Sequence, residues 1–420
     1  MRNKGFPYLA PKETCTGCGL CEDVCTHQAI TIKLNKNGFL EPNINVNLCV
    51  SCHLCSKSCP IIENTKLPHR DISDAQCFAS WSLNPNIRYN SASGGTFSQV
   101  AIDFISKNDL AVVIGASLYP NNYVKHIAIF KQEDLVLLQN SKYAQSHTKG
   151  IYIETLNLLK KGYSVLFSGT PCQIAAIYSY VSNKNYTGTL YTIEVICHGV
   201  PSQLYSDIAT QNAKALYIKS YRTKLYGGEN KSQRLTFETD KQHESKSNAT
   251  TNQNFFYKAF FSDTGLRKSC YTCIFSHLPR IADITLGDYW GIKNHSEERN
   301  KGINLMIINS KMGQQIINNT SDLCIKTTSW EECLPNNPNI FTPIKPNKDI
   351  SISNYIYRIN KYLPAFLSQN IFALQGSIWK FDQFILRGYI EYINHKKKRN
   401  EDFINNEYKK IIDLIYKNEK

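Results

Sequence analysis

Fifteen cysteines stand in this 420-residue chain, and eight of them fall between residues 15 and 59. Residues 15–25 read Cys15-x2-Cys18-x2-Cys21-x3-Cys25, and residues 49–60 repeat the spacing as Cys49-x2-Cys52-x2-Cys55-x3-Cys59-Pro60. In such a run three closely spaced thiolates hold one 4Fe–4S cube and the fourth reaches across to the other. The spacing assigns Cys15, Cys18, Cys21 and Cys59 to one cluster, and Cys49, Cys52, Cys55 and Cys25 to a second. Zinc usually takes two cysteine pairs separated by a longer loop, which neither run provides. The first residues, Met1 to Pro7, lack the apolar run of a secretory signal, so a disulfide framework is a poor fit. Thr26 follows Cys25 where the pattern has proline, which weakens a turn preference and removes no ligand.

Four further cysteines could do related chemistry. Cys270-x2-Cys273 is a chelating pair, while Cys172 and Cys197 each follow an apolar strand and a turn. Both would stand at the same edge of a parallel sheet, where the four together could hold a third 4Fe–4S cluster. A four-cysteine zinc site competes, and taken singly Cys172 and Cys197 read as small buried apolar residues. Cys77, Cys324 and Cys333 show no chelating spacing and read as structural. Ser91-Ala92-Ser93-Gly94-Gly95-Thr96 has the parts of a phosphate cradle, since glycines allow close backbone approach and helix N-terminal amides attract anions. A plain helix cap explains the same residues. The segment from Ser141 to Gly150 combines two lysines, hydroxyls and an aromatic, which suits a cofactor phosphate or equally a solvated helix start.

The elements that must position these residues follow from periodicity. Between the cysteine runs, Ala29 to Ile32 and Gly38 to Leu40 suit a small hairpin. Residues 61–76 read as a linker. Beyond it, Phe97, Val100, Ala101, Phe104 and Ile105 form the apolar face of a helix, followed by a buried strand over Leu110 to Ile114. A helix near 150–161, a strand at Val165 to Phe167 and another over Leu190 to Ile196 continue the alternation. Such alternation implies a parallel or mixed sheet with ligands at the strand carboxyl ends. Residues 222–254 read as a polar, exposed insertion. Past 350 the apolar residues Ile371, Leu374, Ile378, Phe381, Ile385 and Tyr389 recur at helical spacing, and Lys396 to Arg399 form a basic run. The expected organisation is an α+β two-cluster head over 1–66, an α/β mixed-sheet domain over 77–345, and a helical, basic and aromatic tail over 350–420.

The motifs together resemble one family. Ser91-Ala92-Ser93-Gly94-Gly95, Ser141 to Ser146, Gly169-Thr170-Pro171-Cys172-Gln173, Cys197 to Ser202, Cys270-Tyr271-Thr272-Cys273 and Ala282 to Gly291 are similar to the coenzyme F-420 hydrogenase/dehydrogenase beta-subunit family. The likeness covers roughly residues 77 to 310, with a bacterial-type ferredoxin head as a common companion. It implies an iron–sulfur flavoprotein with FAD near Ser93, Gly94, Gly95, Thr96, Lys142, Tyr143, Gln145 and Ser146. It also favours the third cluster on Cys172, Cys197, Cys270 and Cys273. His198, Asp283 and Asp288 lie in its motifs and can titrate or donate, which makes them candidates for protonating a substrate. Asp283 and Asp288 could equally cap turns around Gly287.

The resulting expectation is an FAD-dependent iron–sulfur oxidoreductase, in which clusters pass single electrons and a flavin couples them to two-electron chemistry. It would join a ferredoxin or other redox protein to a small organic substrate, with polysaccharide biosynthesis as one setting. The alternative is the electron-transfer beta subunit of a complex that reduces or oxidises the deazaflavin coenzyme F-420. The net charge of +14 comes with no nucleic-acid module, so none is expected as a partner. No segment reaches the length of a transmembrane helix, and a cytoplasmic setting follows from the cysteine usage. The tail could dock a partner or lie on an anionic membrane surface, although packing on its own domain is the commoner use of such a helix.

Overall fold

The computed structural model describes residues 7–224, 233–239, 246–247, 255–261, 263 and 265–345. The tail expected over 350–420 lies outside the described residues, as does most of the polar insertion. In the head, strands β1 (Ile30–Leu34) and β2 (Leu40–Ile44) form an antiparallel hairpin, with Ile30 opposite Ile44 and Leu34 opposite Leu40. The amides of Asn37 and Phe39 donate to the Asn35 side-chain oxygen and fix its turn. Each cysteine run carries one helical turn, α1 (Leu20–Asp23) in the first and α2 (Leu54–Lys57) in the second.

The linker delivers the chain to β3 (Gln76–Ser82), a short helix α3 (Pro85–Tyr89) and the helix α4 (Thr96–Ser106). There follow β4 (Ala111–Tyr119), β5 (Tyr123–Ile129), α5 (Ile151–Lys160), β6 (Ser164–Gly169), α6 (Pro171–Val181) and β7 (Thr189–Val195). An excursion comes next: α7 (Gln203–Asn212), β8 (Tyr217–Ser220), β9 (Thr236–Glu238), β10 (Lys246–Ser247) and α8 (Phe255–Phe261). The chain then returns through β11 (Ile284–Asp288), α9 (Ser296–Arg299), β12 (Asn304–Ile308), α10 (Lys311–Asn318) and β13 (Leu323–Thr327).

Eight of these strands make one mixed sheet in the order β13-β3-β12-β11-β7-β6-β4-β5. Its centre is parallel, since β11, β7, β6 and β4 pair in one direction, and its flanks are antiparallel. Alternating residues feed two cores. Val112, Ile114, Val165 and Phe167 face α5 and α6, while Val113, Leu166, Ile193 and Ile284 face α4 and α10. Burial on both faces explains why these strands read as continuous apolar runs. A separate aromatic core, with Tyr221, Phe237, Phe256, Tyr257 and Phe260, joins β8, β9, α7 and α8.

The head is held to the core by its own backbone. The Cys18 carbonyl accepts from the Thr148 hydroxyl at 2.7 Å and the Tyr152 hydroxyl at 2.8 Å. The Gln145 amide donates to the Thr16 and Gly17 carbonyls at 3.0 Å, and Asp23 accepts from the Gly150 amide at the start of α5 at 2.7 Å. Gly17 and Gly19 have φ near +66° and +83°, and a Cβ on Gly17 would lie 2.6 Å from Gln145 and from Arg267.

Inside the sheet, Arg280 pairs with Glu194 at 2.6 Å, and the two side chains are 1% and 0% exposed. Removing one partner would leave a buried charge alone, which costs about 3–5 kcal/mol. Glu194→Ala is expected to lower the urea midpoint accordingly, while Glu194→Leu combined with Arg280→Met should recover most of the loss. An unchanged midpoint in the single variant would show that the pair does not matter to the fold.

Candidate functional site

The carboxyl ends of the parallel strands share one edge of the sheet. After β6, Thr170 caps α6 and Pro171 opens it, which seats Cys172 in its first turn, where burial raises the thiol and Thr170 and Arg267 partly oppose that rise. After β7 the chain releases Cys197 and His198, and β11 ends on Asp288.

The four core cysteines converge at this edge. Burial pushes the Cys197 thiol far up, and its neighbours Cys270, Cys172 and Cys273 push it further. Burial likewise raises Cys270 to about 12 and Cys273 to about 11, with Cys172 contributing to both. In the head, burial raises Cys18 and Cys21, and each is raised again by Cys15 and Cys59. Cys172 is among the groups that raise Cys18, so the two groups of cysteines are neighbours. Cys25 contributes to raising Cys55, after burial. Buried thiolates that repel one another in this way are stabilised by a shared cationic centre.

The surroundings of the sulfurs suit that role. The Ala29 amide donates to Cys25 Sγ and the Val200 amide to Cys270 Sγ, both at 3.3 Å, and the Thr170 hydroxyl lies 3.2 Å from Cys172 Sγ. Among the described residues no three His, Cys, Asp or Glu side chains converge closely enough for a single ion. Cys77 and Cys333 lie elsewhere, buried together with their sulfurs 3.8 Å apart.

A cavity of about 1150 Å³ opens along the same edge. Cys18, Cys172, Cys197, His198 and Asp288 line one part of it, and Ser93, Gly95, Thr96, Lys142, Tyr143 and Ser146 line another. Gln145 reaches it too, but its side chain is spent on docking the head, accepting from Arg267 at 2.9 Å and donating to Thr16 and Gly17. Gly94 is absent from the wall: it packs so closely that a Cβ would lie 2.6 Å from the Ser80 carbonyl. The Ser93 hydroxyl donates to the Ile303 carbonyl at 2.9 Å and Thr96 bonds to Ser80, so the turn presents backbone to the cavity. Gly95 gives α4 no side-chain cap, which suits an anion at its first turn.

Charged groups at the wall are strongly perturbed. Lys142 is half-buried, donates to the Gln139 carbonyl at 2.6 Å, and is pulled down by burial to about 7. Asp288 pairs with Arg222 at 2.6 Å, and although burial opposes the charge, Asp288 holds the guanidinium firmly protonated. His198 Nε2 lies 2.7 Å from Asp263. Asp283 does not belong with these candidates. It is 1% exposed, bonds Arg70 at 2.8 Å, the Thr192 amide at 2.9 Å and Ser310 at 2.6 Å, and so ties the linker to the sheet. A carboxylate so fully bonded, and absent from the cavity wall, is placed to hold the fold and not to meet a substrate there.

His126 was not legible in the sequence. It is buried in the cavity wall and driven down to about 4 by burial, with Nδ1 2.6 Å from the Ser146 hydroxyl and Nε2 3.0 Å from the Ser168 carbonyl. With the ring held neutral by burial, Nε2 carries the proton that the Ser168 carbonyl accepts, and Nδ1 accepts from the Ser146 hydroxyl. Gln173 completes the chain by donating to Ser146 at 3.0 Å.

Comparison with known proteins places the head and the core in separate matches. Residues 162–332 match the C-terminal domain of the coenzyme F420 hydrogenase/dehydrogenase beta subunit, and residues 14–61 match the 4Fe–4S dicluster domain. The chain thus carries the C-terminal domain of that beta-subunit family behind a 4Fe–4S dicluster domain. The F subunit of the F420H2 dehydrogenase of Methanosarcina mazei is 22% identical over 180 residues, 41% of this chain and 50% of that protein. The chain thus spans about half the length of that relative. A solved F420-reducing [NiFe] hydrogenase complex from Methanosarcina barkeri aligns with a TM-score of 0.44 at 16% identity, over 66% of this chain and 87% of that one, a score too low to carry argument. The head is a 4Fe–4S dicluster domain, and the core is related to oxidoreductase subunits. No helix among the described residues is long and apolar enough to cross a membrane.

If the four core cysteines hold a cluster, Cys172→Ser should lower iron from about twelve to about eight atoms per chain, as one four-iron cube is lost. Iron and acid-labile sulfide assays after anaerobic purification check this, and unchanged content would remove Cys172 from the ligand set.

Proposed function

We propose that this chain is the electron-transfer subunit of an oxidoreductase, exchanging electrons between its iron–sulfur clusters and a two-electron carrier seated in the 1150 Å³ cavity. The observation that carries the reading is that one cavity is walled by Cys18 of the head, by Cys172 and Cys197 of the core, and by the Ser93 to Thr96 turn. Two clusters are held by Cys15 to Cys59 and a third by Cys172, Cys197, Cys270 and Cys273. When bound, the clusters supply one-electron steps and a flavin-type ring couples them to hydride transfer. The chain's own residues divide the remaining work. Lys142 and the first turn of α4 attract the phosphates of FAD, Tyr143 and the aromatic core close one wall, and His198 with Asp288 present polar groups near the cysteines. The cavity exceeds the usual 300–1,000 Å³ of a small-ligand site, which leaves room for a second ring beside the flavin.

The deazaflavin coenzyme F420 is the external carrier that the relative favours, ahead of the polysaccharide-linked substrate expected from the sequence. A redox protein or partner subunit would take up or supply electrons at the head, where Cys52 is exposed. Protein purified without oxygen and supplied with reduced F420 is expected to reduce a viologen dye. Fully loaded protein that leaves the dye oxidised would remove F420 from the reading.

Lys142 gives the cavity a pH dependence. Its ammonium titrates near 7, so the cation that holds an anionic cofactor is present below that value and lost above it. Flavin affinity is expected to fall as pH rises from 6 to 8, and Lys142→Met should weaken binding about tenfold at pH 6 and flatten the profile. Equal affinities across that range in the native chain would place the phosphates elsewhere.

A further inference from the structure

Arg267 is 2% exposed, yet it forms no ion pair among the described residues. One guanidinium nitrogen donates to the Cys15 carbonyl at 2.9 Å, and the other donates to the Leu40 carbonyl and to Gln145 Oε1 at 2.9 Å. Its Nε is buried without a hydrogen-bond partner. Neutral oxygens alone are poor compensation for a buried charge, which normally sits beside an anion. The position of Arg267 supplies the anions: it bonds the backbone of Cys15, precedes Cys270 by three residues, and its charge favours the thiolates of Cys172 and Cys270. It therefore stands between the first cysteine group of the head and the group in the core.

We infer that Arg267 is a fixed cation shared by the first and third clusters, whose charge raises both reduction potentials and eases the electron step between them. The inference rests on the three-cluster reading above. A cluster held by four thiolates is anionic and gains one more negative charge on reduction, so a nearby cation stabilises the reduced form most. Burial keeps that attraction from being screened by water. The second cluster, with Cys52 exposed at the far run of the head, serves as the internal reference.

The test is a potentiometric titration followed by electron paramagnetic resonance, applied to the native chain, Arg267→Gln and Arg267→Lys. In the glutamine variant the first and third clusters are expected to shift to more negative potentials while the second holds. The lysine variant, which keeps the charge, should stay close to the native values. Retention of iron only in the lysine variant, at native potentials, would also support the charge. Native potentials in both variants would overturn the inference while leaving three clusters in place. Loss of iron and of folded structure in both would confine Arg267 to docking the head and overturn it equally. A native chain with only eight irons would remove the third cluster, and the inference with it.

Discussion

The head meets the core through carbonyl groups of its first cysteine loop. Cys15, Thr16, Gly17 and Cys18 offer four successive carbonyls, and Arg267, Gln145, Thr148 and Tyr152 supply the donors. Backbone groups buried at an interface must be satisfied, and here the partners come from two separate places in the core sequence, residues 145–152 and Arg267. The loop that wraps the first cluster is thereby fixed against the edge where Cys172 stands. Electron relay between two cofactors depends on their separation, and that separation is set by these bonds rather than by a flexible linker.

The mixed sheet supplies the second half of the arrangement. Parallel strands bring their carboxyl ends to one edge, so Cys172, Cys197 and Asp288 meet although they are far apart in sequence. The antiparallel neighbours do a different job. They bring β12 beside the Ser93 to Thr96 turn, where Asn304 accepts from the Thr96 amide at 3.2 Å. The cavity is thus bounded by elements whose positions are dictated by buried apolar faces.

Much of this was legible in the residues themselves. The cysteine spacing in the head predicts a two-cluster domain, and residues 14–61 match the 4Fe–4S dicluster domain. The strands after Leu110 and at Val165 follow from unbroken apolar runs, because both sheet faces are covered, while the strand at Leu190 is legible despite Thr192 and Glu194. What was not legible depends on partners distant in sequence. Gln145 reads as a cofactor contact until the head is seen to rest on it, and Asp283 reads as an acid until Arg70, Thr192 and Ser310 surround it. His126 sits in a strand with no motif around it, and only the carbonyl of Ser168 and the hydroxyl of Ser146 define its tautomer. Local sequence encodes spacing and periodicity well, but it does not encode which surface a polar side chain will meet.

The glycines of the head carry a consequence for modularity. Gly17, Gly19 and Gly38 all have positive φ, and at each a Cβ would strike a side chain of the core: Gln145 and Arg267, Thr148, and Ser202. A free-standing electron carrier of the same fold needs no such bare face, because its surface meets water. This head is therefore keyed to its own socket. An unrelated two-cluster domain grafted in its place would keep its iron but stand off from the core, and distance alone would disconnect the circuit.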